Sequence, residues 1–113
     1  MLQAVFEPVS NREDWVEQCE VRDENNELVN LAGAVIVMAV RDRSTKSNLL
    51  NAKTADSTIV IQGPGLFQFT FPVSQMRGLD ASKAYDIGCT IQLSGVTQQF
   101  FIGTVSVLDG IVP

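Results

Sequence analysis

The chain has 113 residues, of which 45% are hydrophobic, and it carries a formal net charge of −5 with no histidine. This length and composition predict one globular domain, residues 1–113, and exclude a disordered chain. The acidic charge disfavours nucleic acids and anionic membrane surfaces as partners, and the absence of histidine removes the commonest general base and the usual zinc ligand.

Short strands are predicted along the first half of the chain. Apolar residues that alternate or run together between turn signals indicate strands at 3–7, 15–22, 34–41, 48–52 and 58–62. Pro8 stops the first of them, and the continuous apolar run at 34–41 predicts a central strand covered on both faces. Ser10 and Glu13 have the spacing of a capping box, but no helical apolar stripe follows them, so we predict no helix there.

The second half of the chain has the clearest strand signals. Residues 66–71 place three phenylalanines on one face, which we expect to point into the core, and Pro72 ends this strand. At most one helical turn follows, near Val73 to Leu79. Residues 84–93 and 96–108 alternate on either side of Ser94-Gly95 and predict a hairpin.

The spacing of these elements predicts an all-β fold. Seven or eight short strands that recur about every ten residues, between glycine, proline and asparagine signals, are typical of a β-sandwich or a small barrel. Because no helix is long enough to connect parallel strands, an α/β fold is excluded. The sequence leaves open whether the strands pair in immunoglobulin or jelly-roll order.

Several strand-and-turn signatures, taken in order, resemble the small immunoglobulin-like modules encoded among phage and prophage structural genes. The signatures are 23–27, the bend at 31–34, and the segments 65–69, 85–87 and 103–107. Across residues 13–109 the chain is similar to the N-terminal domain of phage baseplate upper proteins and to related tail and neck components. Ala32 stands where these modules usually carry threonine, and 82–84 stands where they usually carry Pro-Gly.

The resemblance implies an immunoglobulin-like antiparallel β-sandwich with a non-enzymatic structural or assembly role in a phage or prophage virion. It implies protein–protein contacts with other phage structural proteins, and it allows a homo-oligomer. The location that it implies is the host bacterial cytoplasm during assembly and then the virion. It transfers no catalytic, cofactor-binding or metal-binding residue.

The first residues and the apolar runs agree with this location. No basic segment followed by an apolar one marks a signal peptide, so we expect no export by that route. No apolar run approaches the roughly 20 residues that a membrane-spanning helix needs.

A carbohydrate-binding or adhesin-type sandwich that recognises a cell surface is the alternative function. Such a module needs exposed aromatic side chains, and Trp15 and Tyr85 are the candidates besides phenylalanine. Both are predicted to point inward. We expect Trp15 to plug the core and Tyr85 to act structurally at a strand start, for instance as a tyrosine corner.

The two cysteines, Cys19 and Cys89, lie on the apolar faces of two predicted strands. Their separation resembles that of the inter-sheet disulfide of immunoglobulin domains. The lack of a secretion signal favours the other interpretation, in which both are reduced, buried thiols.

The polar residues predict no enzyme, no cofactor and no metal site. Seven of the thirteen acidic residues lie between Glu13 and Glu27, but the segment 23–27 lacks the ligand spacing and the glycine of a calcium loop. Nothing in the sequence brings Asp14 and Glu17 into a cleft, and no histidine can activate a serine. The run 63–65 lacks the lysine of a phosphate loop.

A small basic loop, formed by Arg41, Arg43 and Lys46, contrasts with the acidic segment between Glu13 and Glu27. This charge asymmetry suggests head-to-tail or ring contacts between identical subunits.

Overall fold

Two main sheets pack face to face in the computed structural model, which describes residues 2–112 and, for Leu2–Val5, the backbone alone. One sheet has five strands in the order β1-β9-β8-β4-β5, and the other has three in the order β3-β7-β6. A short pair, β2 with β10, follows β1 and β9 in the chain. The strands are β1 (Leu2–Val5), β2 (Val9–Ser10), β3 (Trp15–Glu20), β4 (Val35–Asp42), β5 (Asn48–Lys53), β6 (Ile59–Gly63), β7 (Leu66–Phe71), β8 (Tyr85–Leu93), β9 (Val96–Val105) and β10 (Val107–Leu108).

The strand order is that of an immunoglobulin-like sandwich. When β3 to β9 take the letters B, C, C′, D, E, F and G, the sheets read G-F-C-C′ and B-E-D. The predicted all-β sandwich is therefore confirmed, and the strand order that the sequence left open is the immunoglobulin one. Residues 2–112 form ten strands rather than the predicted seven or eight, because β2 was not predicted and the predicted strand 96–108 divides into β9 and β10. Between the main strands the pairing is antiparallel, whereas the short pairs β1–β9 and β2–β10 are parallel.

Local sequence signals place the boundaries of most elements. β7 ends at Phe71 before Pro72, and the predicted helical turn follows as α1 (Val73–Met76). Ser10 lies in β2, so the prediction of no helix there is confirmed. A 3₁₀ turn at Thr54–Asp56 was not predicted. Within residues 2–112, no helix has the length and apolar sequence needed to cross a membrane.

The core lies between the sheets and is rich in aromatic rings. Phe67, Phe69 and Phe71 are fully buried on β7, as predicted, and the ring of Trp15 lies 5.3 Å from that of Phe69. The alternation of β8 buries Tyr85, Ile87, Cys89 and Ile91 in the same core. Burial of these large apolar side chains is the main force that holds the two sheets together.

The prediction that residues 34–41 form a strand covered on both faces was wrong. β4 is central within its sheet, between β8 and β5, but only its inner face is buried. Ile36, Met38 and Val40 are inaccessible to solvent, whereas Val35 is 45% exposed and Val37 is 37% exposed. The reason is that a sandwich has two layers, so nothing covers the outer face of an antiparallel sheet.

Candidate interaction surfaces

Tyr85 and Trp15 have structural roles rather than ligand-binding ones. Tyr85 begins β8, and its buried hydroxyl oxygen accepts a hydrogen bond of 2.7 Å from the backbone N–H of Asp80. This is the geometry of a tyrosine corner. The indole Nε1 of Trp15 donates to the Glu17 carboxylate at 3.0 Å, and the ring itself is buried. Six of the eight aromatic rings are buried, and the other two, Phe6 and Phe100, are half-buried, so residues 6–101 present no fully exposed ring as a platform for a sugar.

The two cysteines are free thiols on β3 and β8, which correspond to the strands that carry the immunoglobulin disulfide. Burial raises the pKa of Cys19 to about 11, with a further contribution from the negative charge of Glu17. Burial also raises the pKa of Cys89 to about 12, helped by the proximity of Cys19. Because the thiolate is the reactive form, both cysteines are poor nucleophiles at neutral pH.

The acidic residues between Glu13 and Glu27 serve local structure at several positions. The Asp23 carboxylate accepts hydrogen bonds from the N–H groups of Asn25 and Glu27 at 2.9 and 3.0 Å, which closes the turn after β3. Asp14 accepts from the N–H of Val73 at 2.7 Å, whereas Glu17 accepts from Trp15, so the two carboxylates do not converge. In the described part of the chain, no three acidic, cysteine or histidine side chains are placed to hold a metal ion.

Two arginines of the basic loop meet an acidic residue that sequence reasoning missed. Arg43 Nε lies 3.0 Å and Arg41 Nε 3.8 Å from the Asp86 carboxylate, because Asp86 on β8 stands opposite Arg41 on β4. Both arginines are about half exposed, and such surface pairs add little to stability. Their importance is that positive and negative charges lie side by side on one face of the sheet.

Asp42 fixes the conformation of this loop and was also missed. Its buried carboxylate accepts hydrogen bonds from the N–H groups of Ser44 and Thr45, at 2.8 and 3.2 Å, and from Lys83 Nζ at 3.2 Å. The two backbone hydrogen bonds, followed by the one from Lys83, hold the pKa of Asp42 below its usual value. The side chain therefore stays ionised and keeps the loop folded over the end of β4.

The outer face of the five-stranded sheet has an apolar centre. Ala39 on β4, Gly88 on β8 and Ile102 on β9 lie in one row, and Val37 lies beside them. Since alanine and glycine are small, this row forms the floor of a shallow groove of about 320 Å³. Arg41 and Asp86 lie at the rim of the groove. We refer to this surface as the outer face.

A β-bulge shapes one end of the outer face. The register of β8 and β9 shifts between Cys89 and Thr90, which leaves Phe100 as an extra residue on β9. The Gln99 side chain spans the irregularity, because its Nε2 donates to the carbonyl oxygens of Cys89 and Phe101 at 2.9 and 2.8 Å. The bulge turns Phe100 toward Phe67, with ring centroids 6.2 Å apart.

A second surface lies where β3 forms an end of the three-stranded sheet. Within residues 2–112, β3 pairs with β7 and with no strand on its other side. A cleft of about 760 Å³ opens between the residues that follow β3 and the hairpin of β8 and β9. We refer to this edge and cleft together as the open side.

Comparison with known proteins adds no assignment. No protein family matches this sequence, and no curated protein matches it. The resemblance to phage modules therefore stays a prediction from the sequence, and the two surfaces are the features from which a function is argued.

Proposed function

We propose that this chain is a non-enzymatic structural or assembly component of a phage or prophage particle, in its tail, baseplate or neck, and that it acts by protein–protein contact. The apolar centre of the outer face is the observation that supports contact best. Apolar side chains grouped on an uncovered surface are typical of a protein interface. The particle setting is supported by the order of strand-and-turn signatures described above.

Self-association through the outer face is part of the proposal. A twofold axis through the groove would place Ile102 and Val37 of two copies together, with Arg41 of each copy near Asp86 of the other. Opposite charges on one face make that face complementary to itself. We prefer this contact to the head-to-tail or ring contacts predicted from the sequence, because it also buries the apolar centre of the outer face.

Solution mass by light scattering across a concentration series tests the self-association. We expect the wild-type mass to rise above the 12.3 kDa of one chain, and the Ile102→Glu variant to return to that mass. Val60→Glu is the matched control, because Val60 is 48% exposed and Ile102 is 46% exposed, on opposite sheets. The contact would be refuted if the wild-type mass stayed at that of one chain, or if both variants lost the higher mass equally.

The particle setting has a separate and inexpensive test. Genes for portal, capsid or tail proteins beside the coding gene support it, and a neighbourhood without such genes counts against it. The alternative function, recognition of a cell-surface carbohydrate, has less support, since the aromatic rings of residues 6–101 are buried or half-buried.

A further inference from the structure

Among the described residues, β3 has no strand at a position that immunoglobulin domains usually fill. In those sandwiches strand A pairs with strand B on the side away from strand E. Here β3 takes the place of strand B, and within residues 2–112 its one partner strand is β7. The first strand, β1, pairs instead with residues 101–104 of β9. The position beside β3 is therefore left for another strand.

The uncovered edge presents backbone groups from alternate residues. The N–H of Val21 donates to the carbonyl oxygen of Gly65 at 2.7 Å, in line with the β3–β7 register. Hydrogen-bonded pairs alternate along an antiparallel ladder, so the odd-numbered residues of β3 bond toward β7. The N–H and C=O groups of Val16, Gln18 and Glu20 consequently point to the open side. Such a row of unpaired groups is a template for an added strand.

The cleft gives the side chains of an added strand an apolar surface. Its lining includes Val21, Leu31, Leu93 and Phe100. Leu93 and Phe100 pack against the core but stay half-buried. Within residues 2–112, β1 pairs with β9 from Phe101 to Thr104, and residues 96–100 of β9 have no strand beside them on that side. Covering such half-exposed apolar side chains stabilises a complex through the hydrophobic effect.

The charge of the open side selects the kind of strand that can bind. Glu20 is the last residue of β3, and its carboxylate pairs with Arg22 at 2.5 Å. Arg22, Asp23 and Glu24 line the cleft, so its charged side chains are acidic on balance. A second copy of β3 would add its own Glu17 and Glu20 to a surface that is already acidic, which disfavours pairing between two copies. A strand that carries lysine or arginine meets the opposite charge.

We propose that the open side binds an extended, basic segment of a different protein by adding it as a strand beside β3. Apolar side chains of that segment point toward the cleft, and its lysine or arginine side chains face Glu20 and Glu24. The inference rests on the proposed function in one respect, namely that the chain acts by protein contact. It goes beyond the proposed function because it specifies the chemistry of a second partner, which binds at the open side and not at the outer face.

A capped synthetic peptide of alternating valine and lysine is the probe, and residue-resolved hydrogen exchange by NMR is the readout. We expect the peptide to slow exchange of the Val16, Gln18 and Glu20 amides by at least about tenfold. A peptide with glutamate in place of lysine should leave these rates unchanged. No slowing at millimolar concentrations of the basic peptide, or equal slowing by both peptides, would overturn the proposal.

A matched pair of variants at one position tests the strand-addition geometry. Gln18→Pro removes one outward N–H at an edge position where proline is tolerated, whereas Gln18→Ala removes only the side chain. We expect the alanine variant to bind the basic peptide and the proline variant to lose binding at least about tenfold. Equal binding by both variants would contradict strand addition.

Glu24→Lys provides a test that does not depend on the proline variant folding. This exposed substitution should weaken binding of the lysine peptide and strengthen binding of the glutamate peptide; no change in either would contradict the charge argument. Ile102→Glu should leave peptide binding intact, because Ile102 lies on the outer face of the other sheet. Failure of self-association and failure of strand addition are thereby distinguished.

Discussion

Replacing Phe69 by alanine is expected to destabilise the fold by about 3–5 kcal/mol, the range measured for truncation of buried aromatic residues. Phe69 is inaccessible to solvent, and its ring lies 5.3 Å from the ring of Trp15 and 5.5 Å from that of Phe71. Truncation leaves a cavity at the centre of the three-stranded sheet and removes the edge-to-face contact with Trp15. Urea unfolding followed by circular dichroism measures the loss.

Val60→Ala is the control for Phe69→Ala. Val60 lies on the neighbouring strand β6 but is 48% exposed, so its truncation should cost less than about 1 kcal/mol. Equal losses in the two variants would contradict the burial of the β7 phenylalanines. If Phe69→Ala lowered the free energy of unfolding by less than about 1 kcal/mol, the Phe69 ring would lie outside the core.

Gly65→Ala is expected to lower the free energy of unfolding by roughly 2–4 kcal/mol. The loss combines the strain of a left-handed backbone with the overpacking of the new methyl group. Gly65 has φ +70°, and a Cβ atom there would lie 2.7 Å from Leu28 Cδ2 and 2.9 Å from the Val21 carbonyl oxygen. That carbonyl belongs to the backbone of the residue that follows β3, and it also accepts a hydrogen bond from Val29 N–H. It cannot move aside without disturbing the turn.

Two other glycines separate the contributions to the Gly65→Ala effect. Gly95 has φ +79° with no atom near its Cβ position, so Gly95→Ala should show the backbone cost alone, about 1–2 kcal/mol. Gly63 has neither a positive φ nor a neighbour, and Gly63→Ala should be nearly neutral. Thermal unfolding should rank the losses as Gly65, Gly95 and Gly63; any other order would contradict the close approach at Gly65.

The sequence predicts those parts of the fold that follow from local periodicity. The alternation of β8 and β9 and the three phenylalanines of β7 identify both the strands and their inner faces, because side chains alternate with a period of two. Pro72 and the spacing that follows it predict the single helical turn. The all-β class follows from the number and spacing of such strands.

Features that depend on which strands are neighbours could not be predicted. The valines of β4 have the same β-branched shape whether they face the core or solvent, so the run at 34–41 did not distinguish a covered face from an open one. Asp86 meets Arg41 and Arg43 only because β8 pairs with β4. The open side could not be predicted from the sequence, because a strand with one neighbour and a strand with two show the same alternation of apolar and polar residues.

Amide hydrogen exchange along β3 in the free protein tests most directly the central claim that this strand has an open edge. We expect alternation, with rapid exchange at Val16, Gln18 and Glu20, whose N–H groups point to the open side, and slow exchange at Glu17 and Cys19, which bond toward β7. Slow exchange at all of these residues would mean that a strand already covers the edge, and it would contradict the claim.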